Sequence, residues 1–138
     1  MALFESLDHI AIVVADTEDA LAFYRDVLGF PVLFSEVLEE QSVRLTHLNL
    51  GACHLQLVQP LAQEHPLAEF LRQRGEGLHH LCWRVRDVPK AMDALSARRL
   101  ALRDRTPRRG PRGRQAVFID PASTRGVLLE ITGEPGPK

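Results

Sequence analysis

Two histidines, a glutamine and a glutamate hold matching places in stretches of this chain that repeat one another. Leu7–Asp16 reads LDHIAIVVAD and Leu78–Asp87 reads LHHLCWRVRD; at an offset of 71 residues His9 meets His80, Val14 meets Val85 and Asp16 meets Asp87. Downstream, Leu55-Gln56-Leu57 is echoed by Leu129-Glu130-Ile131 at an offset of 74. Imidazole and carboxylate together suit zinc, cobalt, nickel, manganese or iron(II), and a carboxamide oxygen can complete such a set as a neutral donor. A lone histidine at a strand start is ordinarily a packing residue. The repeat changes that reading, because both copies put a histidine at the third residue of the same ten-residue segment. A carboxylate inside a run as apolar as VLLEI is costly to bury unless it is paired or bound to a cation. The plain alternative is an edge strand on which Glu130 faces water. His9, Gln56, His80 and Glu130 are the candidate metal ligands, two half-sites that a pseudo-twofold would join. His79 points to the other face and reads as a supporting or structural residue. His47, His54 and His65 lack repeat partners and read as surface or packing residues.

The elements that must position these side chains follow from periodicity. Ile10–Val14 is a β-branched strand run, after which Asp16 or Thr17 caps a helix with Leu21, Tyr24 and Leu28 on one face and Gly29 at its end. Pro31–Leu38 and Val43–Leu50 read as strands either side of the acidic turn Glu39-Glu40-Gln41, and Cys53–Val58 as the next. The second half repeats this: strand Leu81–Val85, helix Val88–Arg99, then strands Ala101–Arg103, Ala116–Ile119 and Val127–Thr132. Alternation puts Gln56 across from Leu55 and Leu57, and Glu130 across from Leu129 and Ile131. The expected fold is α+β: two tandem βαβββ modules forming a curved mixed sheet around a metal site. One domain is expected over 1–138, with module 1 at about 5–60, a linker helix at about 66–75 and module 2 at about 77–132. The tail 133–138, GEPGPK, is expected to fray.

Composition excludes several classes. The chain has 138 residues, 45% hydrophobic and 25% charged, which is globular rather than disordered or fibrous. No run approaches the ~18 apolar residues of a membrane helix, and Glu5 and Asp8 interrupt the apolar start, so neither a membrane span nor a secretory signal is expected. Cys53 and Cys82 are too few for a disulfide framework and read as buried free thiols of a cytoplasmic protein. The net charge of −1 hides an asymmetry. Residues 1–70 hold two basic and eleven acidic side chains, against fifteen and seven in residues 71–138. Eight arginines fall between Arg98 and Arg114. They read as a solvated loop or as a contact for an anionic ligand such as a phosphate-bearing cofactor tail. Nucleic acid is not the expected partner, since no aromatic interleaves them.

With LDHIAIVV, HLQLVQP, GEGLHHLCW and GVLLEI in view, the chain resembles the vicinal oxygen chelate (glyoxalase/bleomycin resistance/dioxygenase) superfamily. Within it, LQLVQPL, HPLAEFLRQRGEGLHH and FIDPASTRGVLLEI are most similar to the methylmalonyl-CoA epimerases, over about Leu7–Thr132. The resemblance implies an isomerase that interconverts (R)- and (S)-methylmalonyl-CoA. The reaction would run by α-proton abstraction and reprotonation through a metal-stabilised enediolate, with one divalent ion per site (cobalt, zinc, nickel, manganese or magnesium). By motif, the family's histidine, glutamine, histidine and glutamate ligands fall on His9, Gln56, His80 and Glu130, and Glu130 takes one acid/base role. Two positions depart from the family. Leu45 stands where some members carry a third-strand glutamate, with Glu40 and His47 as substitutes, and Ala122 stands at a lysine position. Arg108, Arg109, Arg112 and Arg114 then become candidates for the acyl-CoA phosphates.

A glyoxalase I-like lyase and an extradiol dioxygenase are the competing metal enzymes of the fold. A metal-free, drug-sequestering dimer is the competing binding module, though such a binder has no need of four ligands. Open sheet edges and the charge asymmetry together lead to an expected homodimer.

Overall fold

The computed structural model describes residues 2–135, so the expectation for the tail lies, from residue 136 on, outside the described residues. The contact pattern divides the chain into two units. His9–His79 forms one; the N-terminal segment through Asp8, with the chain from His80 onward, forms the other.

The His9–His79 unit is built on strands ordered β2-β3-β4-β1, where β1 is Ser6–Val13, β2 Val32–Leu38, β3 Val43–Asn49 and β4 His54–Pro60. β1 and β4 run parallel and the other pairs antiparallel. Parallel neighbours need a long connection; here it leaves β1 through helix α1 (Thr17–Leu21), which continues as a wider π-helical turn over Ala22–Val27, and reaches β4 by way of β2 and β3. The sequence reading missed that widening. Gly29 at φ +86° ends the segment in the left-handed region where it was expected. The Asp16 carboxylate caps α1 by accepting from Asp19 N at 2.9 Å. Leu48, Leu55 and Leu57 pack with Val14, Ala20 and Leu21 on the α1 side. Ala11, Leu38, Val43, Leu45 and Val58 line the other face, with Leu67 of α2 (Pro66–Arg74) against them. α2 is capped by His65, whose Nδ1 accepts from Leu67 N while Nε2–H donates to the Gln41 carbonyl.

The other unit repeats the plan. β5 (Gly77–Arg84) lies parallel to β8 (Leu129–Gly133), which is antiparallel to β7 (Gln115–Ile119), itself paired with β6 (Arg108–Arg109). The crossover is α3 (Val88–Ala97), capped by Asp87, which accepts from Lys90 N at 3.0 Å. Val85, Val88, Leu95, Val117, Ile119 and Ile131 form its core, and Leu3 and Phe4 pack onto it. One strand is corrected. Ala101–Arg103 makes a single bridge, Leu102 to Ile119, and the edge strand forms at Arg108–Arg109 instead. Leu100 and Leu102 pack onto the core, and the edge pairing with β7 is made by Arg108 and Arg109 against Ala116 and Gln115.

The register makes the repeat a structural fact. Ala11 pairs with Gln56 in one unit and Cys82 with Glu130 in the other, the same places at the two offsets. On the far side, His47 is opposite Gln56 and Phe118 opposite Glu130.

Candidate functional site

Each unit carries its donors on the sheet face turned away from its crossover helix. In the His9–His79 unit, alternation along β1 and β4 puts His9 and Gln56 on the face opposite Leu55 and Leu57, as expected. Both are buried, His9 at 3% and Gln56 at 4% exposure. A buried amide needs partners, and Gln56 Nε2 lies 3.0 Å from His47 Nε2. His47 Nδ1 in turn lies 2.9 Å from His54 Nδ1. The His47 ring is stacked on Phe34 with centroids 4.5 Å apart and meets the His9 ring edge-on at 5.3 Å. His47, expected as a surface or packing residue or as a substitute for the third-strand glutamate, is buried at 2% exposure and bonded to a candidate ligand. The overlooked signal was alternation: Val43, Leu45 and His47 share one face of β3, across from Val58 and Gln56 of β4. Leu45 sits in the apolar cluster of that face and brings no carboxylate there. Glu40 is exposed in the short helical turn between β2 and β3.

In the other unit, Glu130 is 6% exposed on β8, so the water-facing alternative fails. Its Oε1 lies 3.1 Å from His80 Nε2 and its Oε2 accepts from Arg108 at 3.0 Å. Arg108 also donates to Asp104 at 3.1 Å and lies over the Phe118 ring, 4.4 Å from its centroid. Asp104 accepts from Phe118 N as well, so the guanidinium sits between two carboxylates on a fixed ring. Neither carboxylate can be desolvated alone at small cost, and the arginine between them meets that demand. Phe118 meets the His80 ring edge-on at 5.0 Å. The Cys82 thiol, beside Glu130 in register, is pushed well up by burial first and then by the charges of Glu130 and Asp8. It stays protonated and unreactive.

The candidate phosphate-binding arginines divide into two kinds. Arg108 is engaged with Glu130 and Asp104. Arg114 donates to the buried Asp8 at 3.0 Å, and Arg84 donates to the same oxygen at 2.9 Å. Arg109 and Arg112 are exposed. His79, expected as a supporting or structural residue, lies edge-on to Phe70 at 5.5 Å. Cys53 and Cys82 are free thiols, the first half-buried and the second buried.

Residues 8–118 match the Glyoxalase/Bleomycin resistance protein/Dioxygenase superfamily. Over 125 residues the chain is 40% identical to the uncharacterised Bacillus subtilis protein YqjC, covering 91% of this chain and 89% of that one. It is 33% identical over 126 residues to mitochondrial methylmalonyl-CoA epimerase of Bos taurus, covering 91% and 72%. Among solved structures, a variant methylmalonyl-CoA epimerase of Streptomyces coelicolor, in complex with 2-nitronate-propionyl-CoA, superposes with a TM-score of 0.90 at 32% identity. That match covers 96% of this chain and 99% of the other. The expected α+β class and glyoxalase-like fold are borne out by these matches.

Proposed function

Since the chain belongs to the glyoxalase/bleomycin resistance/dioxygenase superfamily, and within it to the family of the methylmalonyl-CoA epimerases, we propose that it epimerises methylmalonyl-CoA with the help of one divalent metal ion. His9, Gln56, His80 and Glu130 are the proposed ligands. The observation that carries this reading is Glu130, a buried carboxylate 3.1 Å from a buried imidazole nitrogen on the face turned away from the helix-packed core. Two imidazoles, a carboxylate and an amide oxygen are a donor set that fits zinc, cobalt, nickel or manganese. A divalent ion held there supplies Lewis acidity to the two chelating oxygens of the substrate, which acidifies the proton between them.

The chain's own residues do the rest. Glu130 is the proposed acid/base group for one face of the α-carbon, and Arg108 holds its second oxygen so that the first keeps one orientation; inversion takes a second acid/base group on the opposite face. Leu45, with Ala11 and Val58, gives the donor face an apolar border suited to excluding water from the carbanionic centre. Arg109, on the edge strand β6, and Arg112, in the turn that follows it, are exposed and are the proposed contacts for the coenzyme's phosphates. No helix among the described residues is long and apolar enough to cross a membrane. The free thiols Cys53 and Cys82 and the opposed charges of residues 1–70 and 71–138 support the reading of a cytoplasmic homodimer; sedimentation at two salt concentrations tests the association, which salt is expected to weaken.

The deciding experiment follows exchange of the substrate's α-proton in deuterated water by NMR. Metal-loaded protein is expected to exchange it, and chelated protein and the Glu130→Gln variant to fail. No exchange from protein shown to hold metal would overturn the epimerase reading and direct the search to lyase and dioxygenase substrates.

A further inference from the structure

His47 is where the two halves differ most. In register it takes the place that Phe118 takes in the other half, and both rings meet the neighbouring histidine edge-on. An aromatic hydrocarbon therefore fills that place, and packing alone does not call for an imidazole. What differs is the neighbour: Gln56 on one side, Glu130 on the other. A carboxylate can ligate a cation through either oxygen, whereas an amide binds a hard cation only through its carbonyl oxygen. An amide must therefore be held one way round.

We propose that His47 is a positioning residue that holds the Gln56 side chain with its oxygen, not its NH2, available to the metal. Gln56 Nε2 can only donate, so the His47 Nε2 at 3.0 Å accepts. The His47 proton then sits on Nδ1 and is donated to His54 Nδ1 at 2.9 Å, which puts the His54 proton on Nε2. Phe34, stacked on His47 with an interplanar angle of 20°, fixes the plane in which both bonds are made. Buried and partnered on both sides, the relay sets one tautomer and one amide orientation, as supporting hydrogen bonds do for metal ligands in general. The inference rests on the proposed metal-binding role of Gln56.

Two measurements test it. Imidazole 15N shifts of the full chain without metal are expected to show His47 protonated on Nδ1 and bare on Nε2, with His54 bare on Nδ1. The reverse pattern overturns the proposal, whatever the metal does. Cobalt(II) titration then compares the native protein with His47→Phe, which copies Phe118, and His47→Gln, which restores an accepting oxygen. His47→Phe is expected to bind cobalt about 10- to 100-fold more weakly, with recovery to within a few-fold in His47→Gln. Native binding with an indifferent His47→Phe overturns this inference alone. Native protein that binds no cobalt overturns the metal-binding reading and this inference with it. Should His47→Phe fail to fold, the shift pattern of the native chain still decides.

Discussion

The His9–His79 half and the half that begins at His80 solve one problem with opposite chemistry. Each buries a polar side chain in the same place of the same parallel strand pair, Gln56 beside Ala11 and Glu130 beside Cys82. The neutral amide is supported by an imidazole and then a second imidazole. The carboxylate is supported by a guanidinium that a second carboxylate, Asp104, holds in place. A repeat thus conserves register and face while the support of each donor follows the donor's charge. Burial penalises an uncompensated charge far more than an uncompensated dipole, so the halves diverge around the donors and not in the cores beneath them.

That comparison can be broken or sharpened by substitution. The largest effect is expected from Glu130→Gln, which puts an amide in both halves and removes the proposed base; α-proton exchange should fall by about 10²- to 10⁴-fold. Next come the matched core residues Leu57 and Ile131, both fully buried on the helix side. Leu57→Ala and Ile131→Ala should each destabilise the protein by about 2–5 kcal/mol in urea titrations. Costs differing by more than that range would show that the two cores are not equivalent. Arg108→Gln strips Glu130 of its counter-charge. Breaking a fully buried pair costs about 3–5 kcal/mol, and the partial exposure of Arg108 lowers the expected loss to about 2 kcal/mol. The smallest effects are expected at the twin helix caps. Asp16→Ala and Asp87→Ala should cost about 1 kcal/mol each, because each removes one accepted backbone hydrogen bond in a first turn. Circular dichroism melts of the two variants should shift alike.

The architecture was legible because its signals are local. Apolar alternation in LDHIAIVV and VLLEI places His9 and Glu130 on strands, and Asp16, Asp87, Gly29 and Gly75 mark helix boundaries without reference to the rest of the chain. The departures have physical causes too. Leu100 and Leu102 are drawn onto the core, which leaves one bridge at Leu102, and the edge pairing with β7 forms at Arg108–Arg109. The π-helical turn over Ala22–Val27 carries Leu28 out to 47% exposure while Leu21 stays buried, so the expected common face of Leu21, Tyr24 and Leu28 is broken, and nothing in the residue spacing marks that widening. Arg108 looked like every other arginine of its loop, and only its distances to Glu130 and Asp104 set it apart.

The sequence by itself determined the duplicated plan, the face of each donor and the family, because strand alternation and motif spacing survive in one dimension. The tertiary structure alone decided what stands next to each donor. His47 reaches Gln56 across a hairpin, and Arg108 reaches Glu130 across 22 residues of chain. Such partners are chosen by register and side-chain reach after the sheet has formed; alternation gives the face on which His47 lies but not the residue it meets.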